Sequence, residues 1–119
     1  MIVVNSRGEL KNLINRRIEE RGLNCDLNDI DVSKITDMSE LFLGSKFNGG
    51  ISRWDTSKVE SMDRMFEKSI FNSDISDWDV SRVESMNDMF RSSQFNGDLS
   101  DWDVSNVKYM CYMFTNSKF

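Results

Sequence analysis

Apolar positions along the chain follow two alternating spacings, and the pair recurs at a fixed interval, from Phe47 to Phe71 to Phe95. Between Phe71 and Val80 the apolar residues stand at 71, 75, 78 and 80, which suits a short extended segment with a turn at Asn72-Ser73. Val83, Met86, Met89 and Phe90 then fall at i, i+3, i+6 and i+7, the spacing of about two helical turns. Asp79 or Ser81 is placed to cap such a helix through a side-chain oxygen. The same recipe carries Phe47, Phe71, Phe95 and Phe119, then Trp54, Trp78 and Trp102, then Met62, Met86 and Met110. A more degenerate first copy holds Leu27, Ile30, Val32, Ile35, Met38, Leu41 and Phe42 in the same register. The chain therefore divides into residues 1–22 and four tandem units, 23–46, 47–70, 71–94 and 95–118, with Phe119 opening a fifth. Units 23–119 are read as one continuous domain.

The segment from Met1 to Gly22 follows a different pattern. Ser6 and Glu9 have the spacing of a capping box, Leu10, Leu13, Ile14 and Ile18 make one apolar stripe, and Gly22 is a natural stop. The pattern predicts a helix over about residues 7–21, with Arg16, Arg17, Glu19 and Glu20 off its apolar face, and a strand at residues 2–4 beside the first unit. A unit as short as Phe71 to Gln94 cannot bury its own apolar stripe, so neighbours must stack. The expected architecture is an α/β repeat solenoid, short strands on one face and short helices on the other, with the N-terminal helix as a cap.

The motif F-N-x-D-[IL]-S-D-W-D-V-S-x-V-x-x-M-x-x-M-F resembles the BspA-like bacterial surface-protein repeat, over Leu23 to Phe119. The resemblance implies a right-handed leucine-rich-repeat-like stack and a role in protein–protein contact. Relatives of this type occur in bacterial lipoproteins and surface proteins and in short phage or prophage reading frames. The family supplies no catalytic residues to carry over.

Composition narrows the chemistry. The chain of 119 residues has no His and no Pro, so histidine-based nucleophilic, zinc and pH-switch sites are excluded. Cys25 and Cys111 lie in the first and last units and are expected to be free thiols, consistent with a cytoplasmic protein. No stretch has the length and apolarity of a membrane span or the form of a leader. A net charge of −5 disfavours direct nucleic-acid binding, since phosphate contact needs an excess of Lys and Arg. No cofactor or metal is expected, and no enzymatic activity.

Asp31, Asp55, Asp79 and Asp103 form one column through the units, Asn24, Asn48, Asn72 and Asn96 a second, and Ser33, Ser57, Ser81 and Ser105 a third. Turn and capping roles fit these residue types better than a calcium site. Asp74, Asp77, Asp98 and Asp101 come together as an acidic patch, suited to a basic partner or to mimicry of spaced phosphates.

The last unit departs most from the recipe. Tyr109, Cys111 and Tyr112 stand where the two preceding units carry Ser61 and Ser85, Asp63 and Asn87, and Arg64 and Asp88. With Phe114 and Phe119 they make a candidate interface. The functional expectation is a non-catalytic protein–protein interaction module, forming a homo-oligomer or docking an unidentified protein through this end. The alternative is a small acidic inhibitor from a phage or mobile element, directed at a host nuclease or defence complex as anti-CRISPR-type proteins are.

Overall fold

The structure is a computed structural model that describes residues 1–119. Strand β1 is Ile2–Val3, helix α1 is Arg7–Arg21 and strand β2 is Ile30–Asp31. The two strands pair in parallel, Ile2 opposite Ile30 and Val3 opposite Asp31.

Helix α1 forms where the capping signals place it. Ser6 Oγ accepts from the Glu9 N–H at 3.2 Å, and the Glu9 carboxylate reaches back to the Asn5 N–H at 3.0 Å. These bonds satisfy donors that the first helical turn leaves free. Gly22 ends the helix at φ 94°, its N–H donating to Ile18 O at 2.8 Å. Leu10, Leu13 and Ile14 are buried. Arg17 is buried too, against the expectation that it lies off the packed face. Its guanidinium forks onto the Asp29 carboxylate at 2.7 and 3.0 Å, which satisfies a charge that the sequence pattern alone assigns to solvent.

The expected leucine-rich-repeat-like α/β solenoid is corrected by the structure. There is one helix and one two-stranded sheet, and no array of short strands and short helices. The segments spaced like two helical turns are instead runs of tight turns. Glu40, Arg64, Asp88 and Tyr112 are left-handed, with φ of 56–60°, and so are Gly44, Lys68, Ser92 and Asn116 further along the same runs. A left-handed residue in every run breaks an α-helix. The backbone bonds show what replaces it. Met65, Glu67 and Ser69 N–H groups each donate back to the third residue before, to Met62, Arg64 and Phe66 carbonyls. The intervening N–H groups, of Met62, Arg64, Phe66 and Lys68, leave the run and donate to the carbonyls of Ser85, Asn87, Met89 and Arg91. This alternation puts Met62, Met65 and Phe66 on the buried side at a spacing that a helix would also give. The expected strands fail for a related reason. Asx turns at Asp26, Asp31, Asp55, Asp74 and Asp79 bend the chain every few residues, leaving only isolated parallel bridges such as Ser61 with Ser85 and Ser85 with Tyr109.

Side chains at matching positions of successive turn runs lie over one another in the core. Phe42, Phe66, Phe90 and Phe114 stack with ring centroids 5.6–5.7 Å apart and planes within 7°. Trp54, Trp78 and Trp102 stack at 6.2–6.5 Å. Each indole N–H donates to a backbone carbonyl of the preceding unit, Leu27, Ile51 and Ile75 in turn. The aromatic core thus buries no unpaired indole donor. Asn48 and Asn72 add a polar column, each side-chain carbonyl accepting from the backbone N–H of the next asparagine at 2.7–2.8 Å.

Left-handed turns and helices respond oppositely to glycine. Ser92 holds φ 55°, where a side chain costs about 1–2 kcal/mol and glycine nothing, against which glycine loses about 0.5–1 kcal/mol of unfolded-state entropy. Ser92→Gly should leave urea-unfolding stability unchanged or raise it by up to about 1 kcal/mol, where a helical site would lose about half that or more.

Candidate functional site

The paired turn runs have a direction. In each run the outgoing N–H groups point toward the C-terminal neighbour and the outgoing carbonyls toward the N-terminal one. The two ends of the molecule therefore expose different backbone chemistry.

At the N-terminal end the first run presents carbonyls, and α1 meets them with cations. Arg7 Nε donates to Ser39 O at 2.5 Å and Lys11 Nζ to Leu41 O at 2.6 Å. Burial, with the nearby Arg7 charge as a lesser cause, pushes the Lys11 ammonium below its ordinary value of 10.5. Its role in covering backbone acceptors depends on a contact with Leu41, far along the chain.

At the C-terminal end the counterparts of buried side chains are uncovered. Met110 is 42% exposed and Phe114 43%, where Met38, Met62, Met86, Phe42, Phe66 and Phe90 are 0%. Val104 is exposed, whereas Val32 and Val80 are buried. Leu99, Trp102, Val104, Met110, Met113 and Phe114 line an apolar hollow of about 190 Å³ on this face. Tyr109, Cys111, Tyr112, Phe114 and Phe119 are all exposed; Phe114 lines this hollow and Phe119 packs against it, whereas Cys111 and Tyr112 line a polar groove with Asp63, Arg64, Asn87 and Asp88 of the preceding turns. Phe119 packs edge-on to Phe114 at 4.8 Å and 61°, whereas Phe47, Phe71 and Phe95 stack in sequence with planes 10° apart. Tyr112 sits beneath the Arg91 guanidinium, 5.5 Å from its ring centroid. Leu99, Val104 and Met110 belong to the same face, yet the sequence reading passes over them because their counterparts are ordinary core positions.

The acidic residues are divided by the structure. Asp74, Asp77, Asp98 and Asp101 are all exposed. Asp74 accepts from the Ser76 hydroxyl and N–H at 2.6 and 2.9 Å, and Asp98 accepts from the Ser100 N–H at 2.8 Å. Asp74 also feels the Asp98 charge. Asp77 and Asp101 make no hydrogen bond or ion pair, so their carboxylates are the open members of the patch. The column Asp31, Asp55, Asp79 and Asp103 accepts in each case from the backbone N–H of the serine two positions on, at 3.0–3.1 Å. These are turns that hold the backbone, not caps of helices. No group of three or more His, Cys, Asp or Glu side chains is placed to hold a metal ion. Cys25 and Cys111 are free thiols, and burial raises Cys25 above its ordinary value. A raised thiol is a poor nucleophile. No helix is long and apolar enough to cross a membrane.

A family model described as "Mycoplasma protein of unknown function, DUF285" matches residues 10–119. The chain belongs to the DUF285 family. The DUF285 match starts inside α1 and so takes in most of the helix as well as the C-terminal face. Neither the curated proteins nor the solved structures contain a significant match to the chain.

The serine-bonded aspartates of this DUF285 chain make its stability sensitive to acid. At Asp31, Asp74, Asp79, Asp98 and Asp103 the serine hydroxyl, then the serine N–H, hold the carboxyl below its ordinary 3.8. The unfolded carboxyls take up protons first, so this stability is present in full above about pH 3.8 and lost as pH falls through the depressed folded values. Melting temperature should be flat with respect to these groups above that pH and drop below it. Asp79→Asn keeps the turn and removes its share of the acid dependence, whereas Asp79→Ala should cost roughly 0.5–1 kcal/mol at neutral pH.

Proposed function

We propose that this DUF285 chain is a non-catalytic protein–protein interaction module that docks a protein partner through its C-terminal face. The observation that carries the reading is the change of residue type at the exposed Tyr109, Cys111 and Tyr112, where the two preceding turns carry Ser61 and Ser85, Asp63 and Asn87, and Arg64 and Asp88. A contiguous apolar surface rimmed by polar groups is costly to leave in water and is characteristic of interaction sites. Tyr109 and Tyr112 stand 57% and 65% exposed in the same unit. Tyrosines of this kind give large contact area with few rotatable bonds and are enriched where binding energy concentrates. Within this reading the chain is a relative of the BspA-like repeat proteins, on the strength of the Trp-Asp-Val-Ser and Met-x-x-Met-Phe motifs. The absence of any histidine and the raised Cys25 thiol support a binding role over a catalytic one.

The test uses a photo-crosslinking residue at position 109, with position 58 on an earlier turn as the comparison. The expected result is a discrete adduct from 109 in lysate of the cells that express the protein, and none from 58. The paired change Tyr109→Ser with Tyr112→Asp, which restores the residue types of the preceding turn, should reduce affinity for the captured partner at least tenfold while the melting temperature holds. Equal labelling from both positions, or affinity indifferent to the paired change, would overturn the reading.

A further inference from the structure

We draw no further inference here: the strongest candidate, the polar groove along the side of the turn runs lined by Asp63, Arg64, Asn87, Asp88, Cys111 and Tyr112, belongs to the site already described, and nothing in the structure shows what covers it.

Discussion

The fold depends on how the turn runs dispose of their backbone N–H groups. Each N–H in a run such as Met62 to Ser69 must find an acceptor or be left to water; three of the eight are satisfied within the run, and that of Asp63 by the adjoining Ser61 hydroxyl. The other half point out of the run and are met by the next one, as the Met62 N–H is by Ser85 O. That division sets the positions of the side chains. It holds one turn run over the next in register, which in turn lays Phe42, Phe66 and Phe90 and the three tryptophans over one another. The Asx turns and the asparagine column fix the corners between runs, so the polar residues that recur along the chain serve the same pairing. Buried phenylalanines each contribute about 1.5–3 kcal/mol by leaving water, but without the register they would have no common column to occupy.

Because all outgoing donors in the runs point one way, the molecule is polar from end to end. Acceptors emerge at the N-terminal end and donors at the C-terminal end, and the two are treated differently. Helix α1 buries Leu10, Leu13 and Ile14 on the first turns and supplies Arg7 and Lys11 to the free carbonyls, so one element covers both the apolar and the polar surface there. The C-terminal face keeps both surfaces open. Tyr109 and Tyr112 replace polar residues of the preceding turns, and Met110 and Phe114 are uncovered members of core columns. The proposed binding role rests on the exposed residues by which this unit departs from the others. The side chains that support the edge, Phe90, Phe95 and Met113, are buried and hold it in place.

Much of this was legible in the order of residues, and the failures have definite causes. The recurring register and the helix Arg7–Arg21 between its Ser6 and Gly22 caps follow from side-chain type and spacing, which are properties of the chain itself. The Met-x-x-Met-Phe spacing misleads because buried positions three and four apart arise equally from a helix and from tight turns punctuated by left-handed residues. Nothing in Glu40, Arg64, Asp88 or Tyr112 announces a left-handed backbone, since none is glycine. Arg17 likewise reads as a solvated charge until Asp29 is placed against it.

The sequence by itself determined which side chains form the core columns, where the one helix begins and stops, and which unit differs from the others. Those outcomes depend on local hydrogen bonding and on apolar periodicity. Only the tertiary structure decided that the Met-rich segments are turns, that their free donors all face one way, and that Arg7 and Lys11 cover one edge while Met110, Tyr112, Phe114 and Asn116 leave the other open. A backbone N–H is the same group in every residue except proline, so its direction is absent from the order of side chains. It is set only when each turn run finds its acceptors on the next.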